Sequence, residues 1–445
     1  MPEKIKIKKG LDIPLFGQPT DKISVDTTSH IFAIYPDDFP GVVWKSAVKA
    51  GDTVKPGDIL FQDKASGKIC LVAPVGGEIK EINRGERRHI NFISIESKAS
   101  DSKGDRSPFE KPSEDAVQLK EALQRSGLWA MMRQRPYDIV PEADKEPRDI
   151  FVTAFDTAPL AGNIITEADK EWLEKGLKAL SLLTKGKVYL DIRYGQNIDS
   201  KVAVVTSFEG PHPAGNVGTQ IAAIKPVNKG ETVWALDART AVRIGKLTEG
   251  IADFETLVAV TGPEVKDPHL VKSIVGASIE GILKGNVEDY KGKRIISGNV
   301  LTGVKVSQDG FLRYPYRQIT VIAEGDDADE FMGWASLNPG KFSVKRTFPA
   351  FLRGLSKPFN FDARIKGGQR AMILSGEYDK VFPFDIYPEY LLKAIIARDI
   401  DRMEKLGIYE VAPEDFALPE FVDTSKQELQ KTVREGLDYL RKELE

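Results

Sequence analysis

Val48-Lys-Ala-Gly-Asp-Thr-Val-Lys-Pro-Gly-Asp-Ile-Leu60 is the stretch on which the reading of the fold turns. Gly51-Asp52 and Gly57-Asp58 punctuate it, and glycine permits the tight turns such steps require. The alternating apolar residues between them supply one face of a small core. Ala73-Pro-Val-Gly-Gly-Glu-Ile79 has the same character. Strand candidates surround both stretches at His30–Tyr35, Ile69–Val75, Glu78–Ile82 and Ile90–Ile95, and Ile5 and Ile7 alternate with Lys4, Lys6 and Lys8. Many short strands at this spacing predict a small barrel or sandwich.

Further along, the pattern changes. Residues 98–115 are polar and nearly free of large apolar groups, so they read as a linker. Glu114–Met132 is helix-like, and Asp149–Phe155 is a buried-strand run. Thr166-Glu-Ala-Asp169 resembles a capping box, opening a helix with Trp172, Leu173, Leu177, Leu180 and Leu183 on one side. Lys187–Ile192 and Val202–Thr206 are strands again, which makes a βαβ-type segment with a parallel or mixed sheet. From Thr256 the signal is compact α+β: strands at Thr256–Val260, Arg294–Ser297 and Ile319–Ala323, with a short helix near His269–Ser278. Glu324–Glu330 is an acidic break, and 331–385 has no clear periodicity. Pro388–Leu406 reads as a helix. Ser425-Lys-Gln-Glu428 reads as a capping box before a last helix whose Leu429, Val433, Leu437, Leu440 and Leu444 form one apolar stripe.

A chain of 445 residues carries about three domains. Its 41% apolar and 29% charged residues are ordinary globular composition. The net charge of -3 argues against a nucleic-acid partner, which calls for a basic excess. The single cysteine, Cys70, excludes an internal disulfide and a cysteine-held iron–sulfur cluster, and a buried inert thiol is its default reading. The N-terminus has no apolar core of a signal peptide, and no stretch approaches the length of a membrane span.

Few residue groups carry chemistry. Neither phosphate-binding glycine motif occurs in a strand-to-helix turn, and Gly210–Gly218 reads as a turn fixing a helix start. His30, His89, His212 and His269 show no metal or triad spacing; His212, between Pro211 and Pro213, is rigidly presented and is a candidate contact. The acidic run Asp326–Glu330 reads as a solvated turn, with a cation site as the other reading. Arg313-Tyr-Pro-Tyr-Arg317 fits either an interface or a strand edge packed inside one domain.

The two stretches at 48–60 and 73–79 resemble the halves of a biotinyl/lipoyl-type domain, and Asp63-Lys64-Ala65 looks like its attachment triplet. A lipoyl- or biotin-type carrier would be modified on Lys64. Against this, Lys64 lies off-centre between the halves, Phe61-Gln62 replace the acidic residues that usually precede the triplet, and no catalytic module is evident.

Four dispersed segments, Lys8-Lys-Gly-Leu-Asp-Ile-Pro14, Gly210-Pro-His-Pro-Ala-Gly215, Ile296-Ser-Gly-Asn-Val-Leu-Thr-Gly303 and Gly376-Glu-Tyr-Asp-Lys-Val-Phe-Pro383, look like the A-type subunits of the sodium-translocating NADH:quinone oxidoreductases (Na+-NQR). That family is similar in fold to the flavin-binding subunit of complex I and to the C-type subunits of Rnf complexes. The resemblance implies an α+β multidomain chain. Its parts are a lipoyl-like barrel-sandwich (1–100), a Rossmann-like α/β domain without a nucleotide loop (101–255), a β-grasp-type domain (256–330) and a C-terminal helical domain (331–445). Where relatives carry a glycine-rich flavin loop, this chain has Gly127-Leu-Trp-Ala-Met-Met-Arg-Gln-Arg-Pro136, too bulky for close backbone approach to phosphate. Asp423 stands where Rnf relatives carry cluster cysteines. The resemblance thus implies a cofactor-free, soluble subunit, peripheral on the cytoplasmic side of the bacterial inner membrane and docked chiefly on the membrane-embedded B-type subunit. NADH, FAD, FMN and Fe–S clusters would be carried by other subunits, and the whole complex would couple electron transfer to Na+ translocation. Two roles for this chain stay open on that resemblance: a structural one, capping and orienting the B-type subunit, and quinone binding. Trp129, Met132, Arg133, Pro136, Tyr137 and His212 are the candidate quinone or subunit contacts. No catalytic residue and no metal ligand is assigned.

Overall fold

The computed structural model describes residues 3–97, 109–113, 115–163, 165–326, 338–344, 347–352, 354 and 357–444. Most of the linker read at 98–115, and residues 327–330 of the acidic run, lie outside them.

The two Gly-Asp steps fold as their chemistry demands. Gly51 and Gly57 take left-handed φ of 86° and 92°. Asp52 and Asp58 reach back to accept the backbone N–H of Lys49 and Lys55, both at 2.7 Å, which closes each turn. The strands they connect form two small facing sheets. One orders Ile31–Ile34, Ile90–Glu96, Gly77–Arg84 and Thr53–Val54; the other orders Trp44–Ser46, Ile59–Asp63 and Cys70–Val72. Leu60, Ile79, Ile93 and Ile95 fill the space between them with essentially no exposure. Lys64 is exposed at the turn between the strands Ile59–Asp63 and Cys70–Val72, while the Asp63 carboxylate accepts the N–H groups of Ala65 and Ser66. Cys70 is buried, and burial pushes its thiol pKa up.

The second sheet has six strands in the order Glu3–Lys6, Val204–Glu209, Val188–Arg193, Ile150–Thr153, Val233–Asp237 and Arg133–Arg135. All neighbours are parallel except the last pair. Ile150–Thr153 comes first in the chain among the four inner strands, with its two successors on one side and Val233–Asp237 on the other. The order therefore reverses between Ile150–Thr153 and Val233–Asp237, as in doubly wound α/β folds. The helices Lys170–Ser181 and Ala238–Leu247 cover one face, and Val217–Ile224 covers the other.

The third sheet orders Val304–Val306, Lys293–Ser297, Gln318–Ala323, Glu255–Thr261, His269–Ile274 and Ile23–Val25. Its first and last long strands, Glu255–Thr261 and Gln318–Ala323, lie parallel at the centre, and the short helix Ile279–Leu283 follows the hairpin, in the manner of a β-grasp. Glu3–Lys6 and Ile23–Val25, read with the barrel in the sequence, thus serve as edge strands of the second and third sheets.

Several sequence expectations are corrected. The helix near His269–Ser278 is the strand His269–Ile274. Leu270, Val271, Ile274 and Val275 imitate a helical stripe, but antiparallel pairing with Glu255–Thr261 overrides it. Pro388–Leu406 is two helices, Pro388–Ile396 and Ile400–Lys405. Arg398 turns left-handed, and Asp399 caps the second helix through Arg402 N–H. Glu114–Met132 keeps its α-helix only over Ala116–Arg125 and ends in a 3₁₀ turn at Trp129–Met131. The capping box at Thr166–Asp169 forms as read. The one at Ser425 does not: its hydroxyl donates to Ala371 O, and the Glu420 carboxylate accepts Gln430 N–H at the head of the last helix. That helix, Leu429–Leu444, buries Leu429, Val433, Leu437 and Leu440 in a separate C-terminal core with Leu391, Leu392 and Phe416, while Leu444 stays exposed.

Candidate functional site

A cavity of about 550 Å³ opens at the carboxyl ends of Ile150–Thr153 and Val233–Asp237, where the strand order reverses. Every part of the chain supplies a wall. Asp37, Asp38 and Pro40 come from the barrel, Arg133, Thr153, Phe155 and Leu236 from the second sheet and its loops, residues 313–318 from the third, and Glu414 and Arg434 from the C-terminal helices. A groove of about 920 Å³ lies elsewhere, between the barrel hairpin and the helix Ala116–Arg125, rimmed by surface lysines. The switch-point cavity is the one where buried charges converge.

Arg313-Tyr-Pro-Tyr-Arg317, open between two readings in the sequence, is a junction between parts of this chain. Arg313 forks onto the Asp38 carboxylate, with Nε at 2.9 Å and Nη2 at 2.5 Å, and Tyr314 N–H adds a third donor at 3.0 Å. The Tyr314 ring stacks on Phe39 at 4.9 Å, and its hydroxyl donates to Met131 O at 2.6 Å. Burial holds the Tyr314 and Tyr316 phenols up at about 12, so both remain protonated donors. Arg317 meets Asp237 at 3.0 Å, while Asp237 caps the helix Ala238–Leu247 through Thr240 N–H.

On the opposite wall, Arg135 is 2% exposed and meets three carboxylates: Glu414 at 3.0 Å, Asp415 at 3.2 Å and Asp138 at 3.7 Å. Three carboxyls around one guanidinium leave excess negative charge. Burial and the neighbouring Asp415 accordingly hold the Glu414 carboxyl above the usual carboxylate range, although cavity solvent reaches its side chain. The turn at 136–138 is set by left-handed Tyr137 and Asp138, whose carbonyls accept from Arg434 at 2.6 and 3.2 Å.

His212 is 3% exposed and lines the cavity. Its Nδ1 lies 3.1 Å from Thr157 Oγ1, which already accepts Gly215 N–H at 2.9 Å. The Thr157 hydroxyl proton is free to donate to Nδ1, and in that tautomer the imidazole proton sits on Nε2. Burial pushes the His212 pKa down to about 4, against the pull of Asp156 and Asp12, and the ring is neutral at pH 7. Arg133 donates to the carbonyls of Ala130, Met132 and Asp38, and its guanidinium lies 5.4 Å from the Tyr314 ring centre.

Of the sequence-derived candidates, Arg133 and His212 share this cavity. Trp129 and Met132 are fully buried core residues; Trp129 meets Trp234 edge-on and donates Nε1–H to Pro141 O. Met131, the neighbour of Met132, is the methionine that lines the cavity. Tyr137 packs into the C-terminal core, and Pro136 sits behind the wall in the turn. Glu414, Tyr316 and Arg317 were missed as site residues. Their chemistry is visible in the sequence, but nothing local there brings residues around 316 and 414 to the ends of strands at 153 and 237. Among the described residues no cluster of His, Cys, Asp or Glu is arranged to hold a metal ion, and no helix is long and apolar enough to cross a membrane. Asp423, noted for standing at a cluster-cysteine position, is a structural hub. It accepts the Tyr378 hydroxyl at 2.8 Å and the N–H groups of Ser425 and Gln427.

Three family descriptions match successive parts of the chain: the NqrA N-terminal barrel-sandwich hybrid domain at residues 5–98, the NqrA second alpha/beta domain at 114–251 and the NQRA C-terminal domain at 257–308. The A subunit of the Na(+)-translocating NADH-quinone reductase from Hahella chejuensis is 38% identical over 99% of this chain and 100% of its own length. The corresponding proteins of Pasteurella multocida and Neisseria meningitidis serogroup A are each 36% identical with the same coverage. A chain of an NAD+-reducing [NiFe]-hydrogenase aligns with TM-score 0.37 and 13% identity, over 73% of this chain and 61% of that one, too distant to carry an argument. Barrel-sandwich, doubly wound sheet and third sheet follow one another as the three matched domains do, and the relatives run the full length of both chains, so this chain belongs to the NqrA family, the A subunits of the Na(+)-translocating NADH-quinone reductases.

Proposed function

We propose that this chain works as a peripheral subunit of a membrane NADH:quinone reductase that moves Na+, docked on the membrane-embedded B-type subunit from the cytoplasmic face, and that its switch-point cavity receives a quinone headgroup. NADH, flavins and iron–sulfur centres belong, on this reading, to other subunits. The observation that carries the quinone assignment is the cavity itself. Its size falls in the ordinary range for small-molecule sites. Met131, Phe155, Leu236, Leu257 and Leu270 give it apolar walls for a quinone ring, and Arg133 and His212 bring donors. A quinone presents two carbonyl oxygens and no hydrogen-bond donor, so it needs donors. The neutral His212 with its proton on Nε2 suits one carbonyl, and a guanidinium N–H of Arg133 suits the other. Tyr314 and Tyr316 spend their hydroxyls on backbone carbonyls and shape the walls.

Equilibrium titration of the purified chain with a short-chain quinone tests this. Saturable binding is expected, weakened about tenfold by His212→Ala and by Arg133→Ala, since each loses a hydrogen bond in a shielded site. Failure to saturate, or equal affinity in both variants, would remove quinone from this cavity.

A further inference from the structure

A long basic stretch lies outside that cavity. Residues 338–376 contain eight Lys or Arg and one acidic residue, Asp362, in a chain of net charge -3. Within this stretch the loop at 364–374 is exposed along residues 365–371 and again at Ile373 and Leu374. Ile365, Ile373 and Leu374 are 68%, 58% and 51% exposed, which is unusual for three aliphatic side chains in one short loop.

The backbone beneath is well held. Ala363 N–H donates to Ala323 O at 3.0 Å, and Arg364 pairs with Asp362 at 2.6 Å. Arg370 N–H donates to Ser425 O at 2.8 Å, and the Ser425 hydroxyl donates to Ala371 O at 2.9 Å. At the far end the Glu389 carboxylate accepts the N–H groups of Ser375 and Gly376 at 2.9 and 3.0 Å. That bond ties the loop to the first turn of Pro388–Ile396, where Tyr387 and Tyr390 are 67% and 54% exposed and meet edge-on. At the tip, Lys366 is left-handed, a side chain added at Gly368 would meet nothing within 4 Å, and one at Gly367 would meet the Lys426 side chain.

We propose that the loop at 364–374, flanked by Tyr387 and Tyr390, seats on an anionic phospholipid surface. Lys366 and Arg370 would face the headgroups while Ile373 and Leu374 enter the acyl boundary. The charge sign decides between occupants: Arg364 and Lys366 share the single carboxylate of Asp362, Lys366 at 3.3 Å, and with Arg370 they leave a cationic excess that complements a surface of anionic headgroups. The exposed aliphatic side chains of Ile373 and Leu374 beside a cationic tip suit a yielding apolar medium under charged headgroups, and tyrosine suits the polar–apolar boundary. The inference rests on the membrane-peripheral reading above and adds a direct lipid contact to it.

The test is vesicle flotation of the full-length purified chain. Expected is binding to phosphatidylcholine vesicles containing about one-third phosphatidylglycerol, weak binding to pure phosphatidylcholine, and release by salt. Lys366→Glu with Arg370→Glu should reduce partitioning by at least about tenfold. Ile373→Asp with Leu374→Asp should reduce it comparably; Ile373 and Leu374 are solvent-exposed and Lys366 gives up only a surface ion pair to Asp362, so both variants should remain folded, which circular dichroism checks. Equal binding to the two vesicle types, or unchanged binding of both double variants, overturns the proposal. A parallel pull-down from gently solubilised native membranes separates it from the docking reading. If the wild type ignores vesicles but still brings down the membrane subunits, the lipid contact fails and docking stands; if it binds vesicles yet brings down no other part of the reductase, docking fails and the lipid contact stands.

Discussion

His212 and Arg135 show how much one buried side chain depends on its surroundings. The His212 pKa of about 4 lies below the ordinary value of 6.5. The unfolded chain therefore takes up a proton first as pH falls, and the folded state does not follow until near pH 4. Stability from this residue is complete above pH 6.5 and is lost progressively between 6.5 and 4, by about 3 kcal/mol in all. Urea unfolding at several pH values should show the His212→Gln variant with a flatter profile across that window; an identical slope would mean the imidazole does not titrate as its burial dictates. Arg135 is the opposite case, a cation kept charged in the interior by Asp415, Glu414 and Asp138. Two flanking prolines made His212 conspicuous in the sequence. Arg135 carries no such mark, because two of the carboxylates that justify it, Glu414 and Asp415, are about 280 residues away.

At the scale of elements, local pattern succeeded where burial is one-sided. The Gly-Asp turns, the box at Thr166–Asp169 and the stripe of the last helix were all legible, because each depends on residues within a few positions. His269–Ile274 was misread because consecutive Leu270 and Val271 are both buried, one on each face of the sheet, so the strand lacks the clean alternation that would mark it. A contact between two helices supplies a sharper test. Gly176 in Lys170–Ser181 and Gly245 in Ala238–Leu247 let the two backbones touch: a methyl group at Gly176 would lie 1.9 Å from Ala241 O, and one at Gly245 2.0 Å from Trp172 O. Alanine normally stabilises a helix interior by about 1 kcal/mol relative to glycine. Here Gly176→Ala should instead cost about 2 kcal/mol, because the helices must separate. Thermal unfolding checks the sign, and a stabilised variant would refute the close approach.

For the whole molecule, one continuous apolar core runs from Leu60 and Ile93 of the barrel through Leu177 and Ile150 of the second sheet to Val258 and Val321 of the third. The C-terminal helices keep a core of their own and reach the cavity through Glu414 and Arg434. The Asp38–Arg313 fork is the polar counterpart of that continuity. Asp38→Ala should cost about 3 kcal/mol by stranding Arg313. It should also weaken quinone binding, because it loosens the wall that carries Tyr314. Intact affinity in a destabilised variant would show that this wall is not part of the quinone site.

The kinds of parts are written in the chain itself: a turn-rich barrel-sandwich, an alternating α/β segment, a compact α+β unit, a helical end, and the family to which they belong. The parts follow from glycine geometry, apolar periodicity and capping, which act over a few residues, and the family from dispersed segments that resemble its members. Long-range packing settled the rest. It makes residues 3–25 lend edge strands to two other sheets. It brings Arg133 and His212 to one cavity while Trp129 and Met132 close a core, and it leaves the irregular stretch after 338 with an exposed cationic loop. Those outcomes depend on which surfaces exclude water from one another across hundreds of residues, and no local pattern encodes that.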